Sequence, residues 1–294
     1  MEKNQYITVF GATGKIGSAL LTFLSAAGVP VIAVTRNKSK AVVLPFVEWV
    51  EADMADKASL HKTMTNSRAV FLSSGMGTNF VAEQHGVIQT AAEAGVEHIV
   101  KLSSAAAGKS SPTHMASSQI GQAHSAVEAL LKASGIPWTL LQPTGFMQNW
   151  LGEFSERVKQ ERRILEATGD GKRAYIDVRD IAEVAFHVLT APSQHVAATY
   201  VLTGGEAINY GQLATSLSQV LGEPVTYVAL TLEEAKQRME QKGLPPAMVQ
   251  TFVAYAAVQR NGEAEYVSNA VAEILRKPAR TAAAFVNDYS AWFK

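Results

Sequence analysis

Cysteine is absent, so disulfides, thiolate metal sites and a cysteine nucleophile are excluded. Any chemistry falls to other groups. Net charge is absent too, because 26 Lys plus Arg balance 26 Asp plus Glu. No overall positive field draws the chain to nucleic acid or to anionic lipid, and neither is expected as a partner. No apolar run reaches the roughly 18 to 20 residues that span a bilayer. The start, Met1 to Tyr6, is polar and leads straight into a strand-like run. A soluble, cytoplasmic protein is expected. His-x-x-x-His, Gly-x-Ser-x-Gly and clustered carboxylates are also missing, which argues against a bound metal and against a hydrolase. His85, His114 and His195 stand isolated and receive no role. What remains is an ordinary globular composition, 47% hydrophobic and 18% charged over 294 residues. It suffices to bury a full core, in one large domain or two modest ones.

Short β-rich runs alternate with helical patterns from the start, the mark of βαβ units feeding a parallel sheet. Strand-like runs fall at Tyr6 to Phe10, Val31 to Val34, Phe46 to Val50, Ala69 to Leu72, His98 to Leu102 and Trp138 to Leu141. Helical spacing fills the gaps at Lys15 to Ala27, Lys57 to Met64, Phe80 to Ala94 and Ser117 to Ser134. Gly28, Gly95 and Gly135 end three of these helices just before a strand begins. The order predicts an α/β fold of the Rossmann type, a doubly wound parallel sheet over residues 1–147. Residues 148–294 read as a smaller, mixed and mainly helical lobe packed in the same unit, with a soft boundary. Within it, Leu151 to Glu161 is helical, Ala167 to Arg173 a loop and Thr199 to Leu202 a strand. Four helical segments close the chain, near Leu232 to Gln241, Pro246 to Arg260, Val267 to Arg276 and Thr281 to Trp292.

The strongest local signal is Gly11-Ala-Thr13-Gly14-Lys15-Ile16-Gly17, between the first strand and the first helix. A dinucleotide site needs a tight turn, close approach of backbone N–H groups to pyrophosphate, and close helix-on-strand packing. Glycine meets each need because it has no Cβ. The end of the second strand then selects the nucleotide. NAD sites put a carboxylate there for the ribose 2′-OH, whereas this chain has Thr35-Arg36-Asn37-Lys38-Ser39-Lys40. Arg36 is suited to stack on adenine and meet a 2′-phosphate, with Lys40 or Lys38 adding charge, so NADP(H) is expected. Asp53 and Met54 follow strand three, in a place suited to adenine. Ser73-Ser74-Gly75 follows strand four and lets the backbone pass close to the dinucleotide.

These residues, with Gly95-Val-Glu-His-Ile-Val, Leu102-Ser103-Ser104, His124-Ser-Ala-Val-Glu128, Gly135-Ile-Pro137-Trp-Thr, Asp177-Val-Arg-Asp180 and Tyr200-Val-Leu-Thr-Gly204, cover nearly the whole chain. In this order they resemble the NmrA-like atypical short-chain dehydrogenase/reductases, near the triphenylmethane reductase and quinone oxidoreductase branch. The resemblance implies NADP(H) binding and, in many members, reduction of quinones, dyes or other conjugated small molecules. Other members of the group are redox sensors that bind the nucleotide and a protein partner without turnover. A third reading is a biosynthetic reductase of an imine or double bond.

Short-chain dehydrogenases carry a Tyr-x-x-x-Lys pair that protonates a carbonyl oxygen and holds the nicotinamide ribose. Counting back from Gly135-Ile-Pro137, the Lys place falls at His124 and the Tyr place at Ile120. Isoleucine moves no proton, so the usual carbonyl chemistry is disfavoured. A strongly electrophilic acceptor needs less acid help, and orientation with water exclusion then carries the reaction. The expected catalytic residues are His124 and Ser103, with Ser104 and Pro143 completing the cofactor site at the carboxyl edge. The expected substrate wall is Met76 with Phe146-Met147-Gln-Asn149-Trp150, closed by Phe252 and Tyr255 on a C-terminal helix. Asp177 and Asp180 read as a loop contact and a helix cap rather than a catalytic pair. A homodimer stands open as an alternative to a monomer.

Overall fold

The computed structural model describes residues 5–108, 111 and 115–294; Met1 to Asn4 and His114 lie outside them. The chain opens as β1 (Tyr6–Val9), α1 (Lys15–Ala26), β2 (Val31–Thr35), β3 (Val47–Glu51), α2 (Lys57–Met64), β4 (Ser67–Leu72), α3 (Phe80–Ala94), β5 (His98–Leu102), α4 (Gln119–Ala133) and β6 (Trp138–Pro143). It continues as α5 (Glu153–Glu161), β7 (Arg163–Glu166), α6 (Val178–Thr190), β8 (Ala198–Leu202), α7 (Tyr210–Leu221), β9 (Thr226–Ala229), α8 (Leu232–Gln241), α9 (Pro246–Arg260), α10 (Ala270–Leu275) and α11 (Ala282–Asp288).

Seven of these strands form one parallel sheet, in the order β3-β2-β1-β4-β5-β6-β8. A sheet covered on both faces has no solvent side, and β2 accordingly buries every residue from Val31 to Thr35. On one face Ile7, Val9, Phe71 and Val100 pack against Leu20 and Leu24 of α1 and Ile181, Val184 and Val188 of α6. On the other, Phe10, Val70 and Leu72 pack against Val87 and Ile88 of α3 and Val127 and Leu131 of α4. Each fully enclosed Leu or Val contributes on the order of 2 kcal/mol. The strand order reverses between β1 and β4, and there the loops after both strands diverge and open a groove.

The last strand of the sheet comes from beyond residue 148: β8 pairs with β6 from Thr139 opposite Ala198 to Pro143 opposite Leu202. The chain therefore leaves the sheet near residue 148 and returns to it through α6 and β8. Asp177 governs the return. Its carboxylate caps α6, accepting from the Arg179 N–H at 2.8 Å, and also accepts from Gln148 Nε2 at 2.7 Å. Gln148 Oε1 accepts in turn from the Val178 N–H at 2.9 Å. Asp180, one turn into the helix, pairs with Arg280 just ahead of α11. Both aspartates are thus tied up in joining segments.

A third apolar cluster, around Trp150, Tyr175, Tyr210, Leu213, Leu217 and Phe285, holds the C-terminal helices together. Beside it β7 and β9 make a two-stranded parallel sheet that the sequence pattern does not announce. Other departures are at element ends. β1 stops at Val9, although the Phe10 N–H still bonds to the Phe71 carbonyl at 2.9 Å. α4 starts at Gln119 because Ser118 is its cap, its hydroxyl accepting from the Gly121 N–H at 3.0 Å. Among the described residues no helix is long and apolar enough to cross a membrane.

Candidate functional site

The groove at the reversal has a volume of about 570 Å³. Its floor is the Gly11–Gly17 turn, with Thr13, Gly14, Lys15 and Ile16 between. Gly11 has φ +69°, and a Cβ there would meet the Ser73 carbonyl oxygen at 2.8 Å. A Cβ on Gly17 would lie 2.2 Å from the Gly11 carbonyl oxygen. Backbone thus packs on backbone, and only glycine permits it. Gly14 caps α1 with no side-chain hydrogen bond, and the first turn of the helix holds no acid. The free N–H groups and the positive end of the helix dipole are left for an anion. This cradle fits a dinucleotide pyrophosphate.

At the rim, Arg36 is exposed at the end of β2, facing Asp53 and Met54 after β3 across the groove. Asp53 spends one carboxylate oxygen on the Ala55 N–H at 2.9 Å. No carboxylate occupies the place after β2 that would take a ribose 2′-OH, so the rim suits a 2′-phosphate. Ser73, Ser74 and Gly75 form the opposite wall, Ser74 Oγ accepting from Gln84 Nε2 at 2.9 Å. Met76 and Phe146, expected on the substrate wall, line this same groove. Lys40 does not; it sits exposed on the turn Lys38–Lys40. Nor do Ser104 and Pro143, which close the ends of β5 and β6. Ser104 Oγ accepts from the Ala106 N–H at 3.2 Å, and the Pro143 carbonyl from the Ala105 N–H at 3.0 Å.

Behind the Ser73–Gly77 loop lies a buried polar network. Lys101 on β5 has no solvent exposure, and its Nζ lies 3.0 Å from His124 Nδ1 and 3.2 Å from the Leu102 carbonyl oxygen. The His124 ring stands edge-on to Phe80, with centroids 4.9 Å apart. Burial pushes the Lys101 ammonium down to about 7, against the pull of Glu128. Burial, aided by Lys101, pushes His124 down to about 3. His124 is therefore neutral. In its ammonium form Lys101 only donates, so Nδ1 then accepts from it and the ring proton is assigned to Nε2. Ser103 points inward: its hydroxyl donates to Glu128, which also accepts from Gln142 Nε2 at 2.8 Å.

A second cavity, of about 580 Å³, opens in the C-terminal part between α5, β7, α8 and α9. Asn149, Phe252 and Tyr255 line it. Met147 and Trp150 do not, being 2% exposed within the third apolar cluster; Trp150 backs the wall through edge contacts with Tyr175 and Phe285. Two contacts join this cavity to the groove. Lys15 of the glycine turn donates to Asn149 Oδ1 at 3.3 Å and to the Gln148 carbonyl at 3.2 Å.

Sequence reasoning passed over Lys101, Glu166 and Arg173. Lys101 had a signal: a lysine inside a strand of a doubly covered sheet has no water to reach and must be paired within the protein. Glu166 lines the second cavity, and burial pushes its carboxyl up to about 7. Nothing in its local sequence marks it.

Among proteins of known activity, the chain is 32% identical over 289 residues to the NAD(P)H azoreductase of Xenophilus azovorans, covering 98% of this chain and 99% of that one. It is 32% identical over 274 residues to the (4-alkanoyl-5-oxo-2,5-dihydrofuran-3-yl)methyl phosphate reductase of Streptomyces griseus, 93% of this chain and 94% of that one. Among solved structures, the NADPH-dependent quinone oxidoreductase of Escherichia coli in complex with NADPH superposes with a TM-score of 0.85 at 27% identity, over 98% of this chain and 100% of that one. With residues 3–286 matched by the model of the NmrA-like family, this chain belongs to that family.

Proposed function

We propose that the protein is an NADPH-dependent oxidoreductase that reduces a quinone-like, azo or otherwise conjugated small molecule. The observation that carries this reading is the pairing of a pyrophosphate cradle and an Arg36 rim with an aromatic-lined cavity, joined through Lys15 and Asn149. The family relation and the named activities of its relatives support it.

The glycine turn and the N-terminus of α1 bind the pyrophosphate, and Arg36 binds the 2′-phosphate through its planar fork. When bound, NADPH supplies the hydride. The protein adds orientation and exclusion of water, since no Tyr-x-x-x-Lys pair stands on α4. Lys101 orients the His124 ring, a neutral hydrogen-bond donor set behind the lining of the nucleotide groove rather than in it. Burial keeps the His124 imidazole neutral through the physiological range, while Lys101, the partner that sets its tautomer, titrates near 7. Phe252 and Tyr255 supply flat apolar surface for the conjugated ring.

The test is consumption of NADPH against a panel of quinones, azo dyes and conjugated enones, run on the wild type and on His124→Ala. Turnover with at least one class is expected, falling severalfold in the variant. Tight NADPH binding with no turnover across the panel would replace the enzyme by a nucleotide sensor.

A further inference from the structure

The cavity beside the nucleotide groove carries far more positive than negative charge. Arg157, Arg163, Arg173, Arg238 and Lys242 line it, against Glu153 and Glu166. Glu153 is already engaged by Lys242 and by Arg157 at 3.4 Å. Arg163, Arg173 and Arg238 have no carboxylate within 4.0 Å among the described residues.

Arg173 is the most constrained of the three. Its backbone is fixed by a reciprocal pair of bonds with Ile208, at 2.9 and 3.0 Å. Its half-buried guanidinium lies over two rings, 5.8 Å from the centroid of Tyr175 and 5.3 Å from that of Tyr255. No carbonyl, hydroxyl or carboxylate of the described residues accepts from it. Tyr175 is itself held, donating to Gln259 Oε1 at 2.9 Å with its oxygen 3.1 Å from the Tyr210 hydroxyl. A half-buried cation held over two rings without an acceptor is left open to a ligand. Its fork of donors matches the paired oxygens of an acid group. Phe154, Tyr210 and Phe252 around it offer apolar surface to the body of such a ligand.

We propose that this cavity is an acid-binding subsite of the reductase: Arg173, seconded by Arg238, holds a carboxylate, sulfonate or phosphate carried by the conjugated acceptor. The inference rests on the reductase reading above and adds the charge of the substrate to it. Glu166, the remaining carboxyl of the cavity, is kept partly protonated by burial at neutral pH and so opposes an anion less than a free glutamate would.

The test compares 4-phenylazobenzenesulfonate and 4-phenylazobenzoate with the neutral 4-phenylazobenzamide, and 4-nitrophenyl phosphate with the neutral 4-nitroanisole. Calorimetric titration of the protein saturated with NADP⁺ gives affinity, and NADPH oxidation gives KM for the azo compounds. The wild type is expected to bind each acid about ten-fold tighter than its neutral partner, less so in high salt. Arg173→Gln should bring that ratio close to one while NADPH affinity stays unchanged. Arg238→Gln, on a helix with no buried residue, should lower it severalfold and stands in if Arg173→Gln does not fold. Which acid gains most identifies the group. Equal binding of acids and neutral partners by the wild type, or a ratio untouched by both variants, overturns the subsite. The two readings separate cleanly: Arg173-dependent binding without turnover of any compound removes the reductase and keeps the subsite, whereas turnover without acid preference does the reverse.

Discussion

Lys101 is fully enclosed on β5, and burial drives its ammonium from the ordinary 10.5 down to about 7. The unfolded chain keeps its proton up to the higher value, so between pH 7 and 10.5 it binds more protons than the folded protein does. Stability must therefore rise with pH across that window. A displacement of this size means that enclosing Lys101 costs about 4 kcal/mol at pH 7 and a little over ~1 kcal/mol at pH 9.5. The wild type is expected to gain about 3 kcal/mol of unfolding free energy between those two values. Lys101→Met keeps the stem and deletes the charge, so its profile should be flat over the same interval. At pH 7 the variant forgoes the bonds to the Leu102 carbonyl and His124, at about 1 kcal/mol each, and should still come out about 1 to 2 kcal/mol more stable. Urea unfolding followed by tryptophan fluorescence at half-unit steps of pH reads both quantities. Other buried groups leave the window open. His98 and His124, both lowered, lose stability only below pH 6.5. Glu166, raised, loses it between 4.5 and 7, and the raised Tyr175 and Tyr210 act only above 10. Parallel profiles for wild type and variant would refute the reasoning.

Two further substitutions probe the groove. Gly17→Ala puts a Cβ 2.2 Å from the Gly11 carbonyl oxygen, so the turn must open, and NADPH affinity should drop by roughly two orders of magnitude with the circular dichroism intact; a dissociation constant within a factor of about two of the wild type would show that the turn is not the cradle. Arg36→Ala should weaken NADPH by about ten-fold and leave NADH unchanged, as read by nicotinamide fluorescence, and an equal loss for both would deny Arg36 its 2′-phosphate.

The sheet and the groove were legible because each is dictated by backbone demands that few residues meet. Gly11 and Gly17 tolerate no Cβ, and strands such as Val31 to Val34 read as unbroken apolar runs because both faces are covered. Side-chain partnerships between distant segments were not legible. Lys101 and His124 are 23 residues apart, and only the packing of α4 on β5 makes them neighbours. Arg173 reads as the end of a polar loop until α9 lays Tyr255 against it. β7 and β9 are four residues each, with Arg163 and Glu166 at the ends of one, so their pattern is too short to stand out from the surrounding loops. Phe146 and Trp150, four apart in one segment, took different surroundings: the first faces the nucleotide groove and the second is interior.

β8 has a consequence for how this architecture can vary. Because the outermost strand beside β6 is donated by residues 198–202, and α6 lies across α1, nucleotide binding and ligand selection cannot be exchanged as cassettes by a single cut. A fragment ending near residue 148 would bare the hydrogen-bonding edge of β6 and the apolar side of α1, inviting edge-to-edge association. Diversification is channelled instead into residues 148–177, between β6 and α6, and residues 203–294, which follow β8. New ligand preferences can accumulate there while the nucleotide scaffold stays closed.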